Sequence, residues 1–123
     1  MKNLLLIIED NEQNLYMMRF MLEKSGFEVA VAEDGRKGVE MAKRLRPQGI
    51  LLDIQLPEMD GYAVAAELRK DPFQSGVPII AVTSYAMAGD REKVMAAGAT
   101  GYIEKPINPD TFVAEIAAFL PKD

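Results

Sequence analysis

The sequence predicts an α/β fold in which helices cover both faces of a doubly wound, five-stranded parallel sheet. Short apolar runs alternate five times with segments of helical spacing, and this alternation is typical of parallel sheets. The runs LLLII and VPIIAV are apolar throughout, as strands are when helices bury both of their faces. No linker, repeat or low-complexity stretch interrupts the 123 residues, so we expect one domain over residues 1–123.

The predicted strands are the apolar runs, each of which is too short to be a typical helix. They are Leu4–Ile8, Val29–Ala32, Gly49–Asp53, Val77–Val82 and Gly101–Glu104. The run Leu4–Ile8 is also far too short to cross a bilayer, and no basic-then-apolar leader precedes it. We therefore expect a soluble, cytoplasmic protein without membrane insertion.

Each predicted helix follows a residue whose side chain can cap its first turn. Asn11, Asp34, Asp60 and Asp90 precede the first four helices. Asn108–Pro109 predicts the start of the fifth, with a capping side chain and a proline at the first helical position. The expected ends of the first, second, fourth and fifth helices are marked by Ser25–Gly26, Pro47, Gly98 and Pro121.

The composition excludes several kinds of chemistry. The chain has no cysteine, which excludes disulfide scaffolds, zinc ribbons and thiol catalysis. It has no histidine, so the commonest general base and transition-metal ligand is missing. A net charge of −5 opposes binding to a phosphate backbone, and we expect no direct nucleic-acid partner.

Polar side chains follow the predicted strands at the edge of the sheet where ligands bind in open α/β folds. They are Glu9 and Asp10 after the first strand, Asp53 at the end of the third, Thr83 and Ser84 after the fourth, and Lys105 after the fifth. Three neighbouring carboxylates repel one another unless one takes up a proton or a cation joins them. Oxygen ligands with room for water suit Mg²⁺, and a carboxylate can be the nucleophile of phosphoryl transfer.

Four fragments of the sequence resemble the receiver domain of bacterial two-component response regulators. They are IIEDN, LLDIQLPEMDG, AVTSYA and GYIEKPI, and they occur in order across essentially the whole chain. The resemblance implies the flavodoxin-like (βα)5 fold with strand order 2-1-3-4-5. It also implies a phosphoacceptor signalling protein rather than an enzyme.

The resemblance assigns roles to individual residues. Asp53 would be the phosphoacceptor, and Mg²⁺, for which Mn²⁺ is expected to substitute, would be held by Glu9, Asp10, Asp53 and the backbone carbonyl of Gln55. Thr83 and Lys105 would bind the phosphoryl group. Thr83 and Tyr102 would form the conformational switch, and Pro106 would follow a cis peptide bond. On residue type alone, Asp53 could instead cap a turn and Tyr102 could be an ordinary core residue.

The resemblance also implies partners: a sensor histidine kinase or a histidine-phosphotransfer protein as donor, and a downstream protein target. The first predicted helix carries more apolar residues than one buried stripe requires, from Leu15 to Leu22. We expect part of it to contact the donor through Asn14, Met17, Met18 and Met21, although ordinary packing against a neighbouring helix would explain the same pattern. The segment Tyr85–Gly89 is a candidate for the loop that moves.

Three other functions fit the sequence less well. A phosphatase that forms an aspartyl phosphate would need Asp-x-Asp after the first strand, where this chain has Glu9–Asp10–Asn11. A flavodoxin-like cofactor carrier would need a loop there that accepts phosphate, and the segment EDNEQN is acidic. A receiver-shaped scaffold that is never phosphorylated would keep the fold without the chemistry.

Overall fold

The computed structural model describes residues 3–56, 59–83 and 90–120, apart from the side chains of residues 73 and 90. The strands are β1 (Leu4–Ile8), β2 (Glu28–Ala32), β3 (Gly49–Asp53), β4 (Ile79–Thr83) and β5 (Gly101–Glu104). The helices are α1 (Glu12–Lys24), α2 (Gly35–Leu45), α3 (Gly61–Lys70), α4 (Asp90–Ala97) and α5 (Phe112–Phe119), with a 3₁₀ turn at Pro72–Gln74. In these ranges no helix is both long and apolar enough to cross a membrane.

The five strands form one parallel sheet in the order β2-β1-β3-β4-β5, which confirms the expected strand order. The chain first adds β2 on one side of β1 and then continues with β3 on the other side. The strand order therefore reverses between β1 and β3. In such sheets the ligand crevice lies at the carboxyl ends of these two strands.

Helices pack on both faces of the sheet, as its continuous apolar strands require. Leu5 and Ile7 of β1 face a core that contains Phe112 and Ile116 of α5 together with the buried side of α1. Leu6 and Ile8 face the opposite core, formed with α2 and α3. All five residues of β3 and of β4 are buried, which is why these strands read as uninterrupted apolar runs.

Three of the predicted helix caps are confirmed by hydrogen bonds from backbone N–H groups to side-chain oxygens. Asn11 Oδ1 accepts from the N–H of residue 14 at 2.9 Å, Asp34 Oδ1 from residue 37 at 2.8 Å, and Asp60 Oδ1 from residue 63 at 2.9 Å. Each bond satisfies a donor that the helix itself leaves without a partner. Such a cap typically contributes about 1 kcal/mol.

The predicted start of the fifth helix at Pro109 is wrong, because α5 begins at Phe112. Asn108 Oδ1 accepts a hydrogen bond from Asp110 N at 2.9 Å and forms an Asx turn instead of capping the helix directly. The Asn108 carbonyl then accepts from Phe112 N at 3.0 Å, so this turn leads into the helix, which begins four residues after Asn108.

Strand β4 begins at Ile79 rather than at Val77. Val77 N donates to the carbonyl of Gln74 at 3.3 Å, which ties Val77 to the preceding 3₁₀ turn, and the strand continues through Thr83. Strand β2 begins one residue earlier than expected, at Glu28. Ser84, the Tyr85–Gly89 segment and Pro121 lie outside the described residues.

Candidate functional site

Three carboxylates meet at the point where the strand order reverses. Glu9 and Asp10 follow β1, and Asp53 is the last residue of β3. One carboxylate oxygen from each residue lies within 4.8 Å of the others. Glu9 and Asp53 are buried and Asp10 is exposed, so the cluster reaches from the protein interior to solvent.

Lys105 supplies the positive charge of this site. Its Nζ lies 2.9 Å from Glu9 Oε1 and 3.5 Å from Asp53 Oδ1, and its side chain is mostly buried. The Lys105 backbone N–H donates to the carbonyl of Thr83 at 2.8 Å, which extends the β4–β5 pairing beyond the strands. The Lys105–Pro106 peptide bond is cis, as expected.

Backbone N–H groups two residues further along hold both buried carboxylates. Asn11 N donates to Glu9 Oε2 at 3.2 Å, and Gln55 N donates to Asp53 Oδ1 at 3.1 Å. Since the Asn11 side chain also caps α1, the start of that helix and the orientation of Glu9 are fixed together. Sequence reasoning identified Asn11 only as a cap, because nothing in the sequence shows that its N–H points back towards Glu9.

The pKa of the Glu9 carboxyl group is raised from its ordinary value of 4.5 to about 7, and burial is the largest cause. The hydrogen bond and the negative charge of Asp53 contribute to this rise, whereas Lys105 and the Asn11 N–H oppose it. Near neutral pH both the protonated and the ionised form of Glu9 are therefore populated. Proton uptake is one of the two ways in which a crowded carboxylate cluster relieves its repulsion, and the binding of a cation is the other.

A cavity of about 460 Å³ opens above the carboxylates. Its lining consists of Glu9, Asp10, Asn11, Asn14, Asp53, Gln55, Lys105 and Pro106. The three carboxylates that face the cavity supply oxygen ligands, which Mg²⁺ prefers. The cavity is open to solvent, so there is room for the water molecules that this ion retains. The donor set therefore fits a magnesium ion.

Thr83 ends β4, the strand next to the acceptor strand β3, and Tyr102 lies on β5, one strand further out. The register pairs Asp53 with Val82, so Thr83 extends one residue past the end of β3 at the same edge of the sheet. Its side chain is buried. The half-buried ring of Tyr102 packs against a small cluster that includes Ile54 and Val94. The switch roles of Thr83 and Tyr102 stay predictions.

The predicted docking residues on α1 fall into different environments. Met18 is only 1% exposed and belongs to the core under the sheet, so its assignment as a docking residue is wrong. Met17 and Met21 are half-buried and pack against the same core, which supports the alternative of ordinary packing for part of their surface. Asn14 is half-buried and lines the cavity.

The exposed apolar residues of α1 are Tyr16 and Phe20, which are 72% and 53% exposed. Their rings stack with centroids 6.3 Å apart and planes inclined by 17°. Their positions in the sequence could have identified them as exposed, because the helical repeat places them opposite Met18 and Leu22, the fully buried residues of the helix.

Comparison with known proteins gives consistent matches over nearly the whole chain. The response regulator receiver domain family matches residues 5–117. The polar-differentiation response regulator DivK of Brucella anthropi is 40% identical over 115 residues, which are 94% of this chain and 94% of that protein. DivK of Brucella ovis is 39% identical over 115 residues, with the same coverage of both proteins.

Several solved structures share the fold, among them the two that follow. The receiver domain of the sensor histidine kinase PA1611 of Pseudomonas aeruginosa PAO1, which has a magnesium ion coordinated in its active-site cleft, has a TM-score of 0.89 at 34% identity. That match covers 97% of this chain and 98% of the other. The chemotaxis protein CheY4 of Vibrio cholerae has a TM-score of 0.93 at 28% identity, and the match covers 98% and 100% of the two chains.

Proposed function

Since this chain belongs to the family of response regulator receiver domains, which act in two-component systems, we propose that Asp53 accepts a phosphoryl group from a phosphohistidine of a partner protein. The donor is a sensor histidine kinase or a histidine-phosphotransfer protein. The single observation that carries the proposal is the cluster of Glu9, Asp10 and Asp53 with Lys105 around one open cavity.

The transfer needs an accessible nucleophile more than it needs a base. An oxygen of Asp53 bonds to phosphorus while the bond from phosphorus to the donor nitrogen breaks, and the imidazole leaves with that electron pair. Positioning and charge stabilisation account for most of the catalysis in such a step. The absence of histidine from the chain is therefore compatible with it.

Glu9, Asp10 and Asp53 would hold Mg²⁺, together with the backbone carbonyl of Gln55, and Mn²⁺ is expected to substitute. The bound ion would neutralise the carboxylates and the incoming phosphoryl oxygens. The magnesium ion coordinated in the PA1611 receiver domain supports this assignment.

Lys105 and Thr83 would bind the phosphoryl group from the two neighbouring strand ends. The position of Lys105 Nζ, 3.5 Å from Asp53 Oδ1, supports its pairing with a phosphoryl oxygen on that side chain. Thr83 would donate its hydroxyl hydrogen to another oxygen, and Tyr102 would respond by turning its ring. The signal is then a shift in population between two loop conformations.

The stacked pair Tyr16–Phe20 is the part of α1 that we expect the donor to contact. The first turn of α1 lies at the rim of the cavity through Asn14, so a protein that delivers a phosphohistidine to Asp53 can contact this helix as it approaches. Aromatic side chains are enriched among the residues that dominate binding energy at interfaces. Met17 and Met21 would flank this contact, and Asn14 would contact the donor from the rim of the cavity.

We expect the protein to work in the cytoplasm on a downstream protein target, or to pass its phosphoryl group onward, without direct contact with nucleic acid. Beyond gaining and losing one phosphoryl group it would have no enzymatic activity of its own. Its net charge of −5 supports a protein partner over a nucleic acid.

Titration calorimetry with Mg²⁺, followed by beryllofluoride as a phosphoryl analogue, tests the site. The wild-type protein is expected to bind both, and Asp53→Asn to lose the beryllofluoride complex and most of its Mg²⁺ affinity. If the wild-type protein binds neither, a scaffold that acts without phosphorylation becomes the better account.

A further inference from the structure

The turn between β3 and α3 supplies both the proposed acceptor and a proposed metal ligand. Asp53 is the last residue of β3, and the Gln55 N–H donates to its carboxylate at 3.1 Å. The Gln55 carbonyl on the same short segment is the proposed backbone ligand. The direction of the peptide groups at residues 54 and 55 therefore affects two parts of the site together.

The first residue of α3 is pressed against this turn. Gly61 N donates to the carbonyl of Ile54 at 3.0 Å. A β-carbon at Gly61 would lie 2.6 Å from Ile54 Cα, 2.8 Å from the Asp53 carbonyl oxygen and 2.8 Å from Ile54 Cδ1. Two of these three atoms belong to the backbone and cannot rotate away.

The φ angle of Gly61 is not positive, so close approach rather than conformational freedom explains the glycine. The helix start has little room to retreat, because the Asp60 side chain caps it at Ala63 N and the next turns bury Val64 and Ala65. An added methyl group would therefore push the acceptor turn rather than the helix.

We propose that Gly61 is a positioning residue for the metal site, a role that rests on the proposed function of Asp53. By lacking a β-carbon it lets α3 hold the peptide groups at 54 and 55 in the direction that aims the Asp53 carboxylate and the Gln55 carbonyl at one ion. Groups that orient metal ligands typically change metal affinity by about 10- to 100-fold when they are mutated.

The test compares Gly61→Ala with Gly76→Ala, a matched control because a β-carbon at Gly76 would meet nothing within 4 Å. Calorimetry measures the Mg²⁺ dissociation constant of each folded protein, and thermal unfolding without metal measures stability separately. Gly61→Ala is expected to weaken Mg²⁺ binding about tenfold or more, and the control to match the wild type. A loss of less than about fivefold in folded Gly61→Ala overturns the proposal.

A second variant keeps the test decisive if Gly61→Ala folds poorly. In Ile54→Val/Gly61→Ala the contact with Ile54 Cδ1 disappears, while the contacts with Ile54 Cα and the Asp53 carbonyl remain. This variant is expected to regain part of the stability lost in Gly61→Ala, but to bind Mg²⁺ more weakly than Ile54→Val alone. If affinity returns together with stability, Gly61 serves only packing. If the wild-type protein itself binds no Mg²⁺, the proposed function fails together with the role of Gly61. If the wild type binds Mg²⁺ and folded Gly61→Ala binds it equally well, only the role of Gly61 fails.

Discussion

The ammonium nitrogen of Lys105 lies 2.9 Å from Oε1 of Glu9, a fully buried carboxylate at the end of β1. The two residues are 96 positions apart in the sequence, and their contact joins the first strand to the loop after the last one. The pair compensates the charge of Glu9, while the ammonium group remains close to Asp53. The proposed phosphoryl-binding lysine is thus also a structural partner of a proposed metal ligand.

Lys105→Met should destabilise the protein more at high pH than at low pH. At pH 9 the variant leaves the Glu9 carboxylate buried without its cation, and breaking such a pair typically costs about 3 kcal/mol. At pH 6 most Glu9 side chains are protonated in both proteins, so the cost should be smaller. Urea unfolding at both pH values without metal measures the difference. Lys70→Met, which removes an exposed ion pair with Glu67, should cost less than about 1 kcal/mol at either pH.

Glu9→Gln should remove a loss of stability that the wild-type protein shows between about pH 4.5 and 7. In this window the folded state binds the Glu9 proton more tightly than the unfolded state, because the folded pKa is raised to about 7. The free energy of unfolding therefore falls as pH rises from about 4.5 to 7, by at most about 3 kcal/mol. Above pH 7 titration of Glu9 should cause little further loss of stability. Unfolding of both proteins in chelator at pH 5 and pH 8 gives the comparison. A wild-type minus Glu9→Gln difference that is equal at the two pH values contradicts the assignment.

Mg²⁺ binding should weaken as pH falls below about 7. Ligation requires the Glu9 carboxylate, so below its pKa each ion that binds must displace a proton. The dissociation constant should then rise about tenfold for each pH unit below 7 and become nearly constant above it. Calorimetry at pH 6 and pH 8 in two buffers of different ionisation enthalpy also counts the released proton. Equal dissociation constants without proton release would contradict the displacement of a proton from Glu9 by Mg²⁺.

Replacing Tyr16 and Phe20 with serine should slow transfer from a protein donor without slowing transfer from a small one. The two rings are exposed, so their removal leaves no cavity in the core. With a histidine-phosphotransfer domain at limiting concentration the rate should fall about tenfold, equivalent to about 1.4 kcal/mol of lost interface contact. Phosphorylation by acetyl phosphate should be unchanged. Met95→Ser, at a 39% exposed apolar residue of α4, is the matched control. Equal rates for all three proteins would remove α1 from the docking surface.

The sequence was sufficient to predict the sheet and the site because both depend on local patterns. Apolar runs such as Leu4–Ile8 can be strands buried on both faces, and parallel strands bring their carboxyl-terminal residues to one edge. The meeting of Glu9, Asp10 and Asp53 also requires β1 and β3 to be neighbours, and that strand order was implied by the resemblance to receiver domains.

Features that depend on competition between neighbouring groups were not predictable. Asn108–Pro109 has the residues of a helix start, but the Asx turn at Asp110 forms there instead. Met18 was misassigned because α1 carries apolar residues on most of its circumference. Only the packing of α1 against the sheet shows that Met18 and Leu22 form its buried side. The closer approach of Lys105 to Glu9 than to Asp53, and the raised pKa of Glu9, depend on side-chain positions.

The intact mass of the protein after incubation with acetyl phosphate and Mg²⁺ tests the central claim most directly. We predict the gain of one phosphoryl group, about 80 Da, that is lost in Asp53→Asn and in the presence of a chelator. Asp60→Asn, at an exposed capping aspartate of α3, is the control and should be modified like the wild type. A phosphoryl group that persists in Asp53→Asn, or a wild-type protein that gains none and also binds no beryllofluoride, would contradict the account.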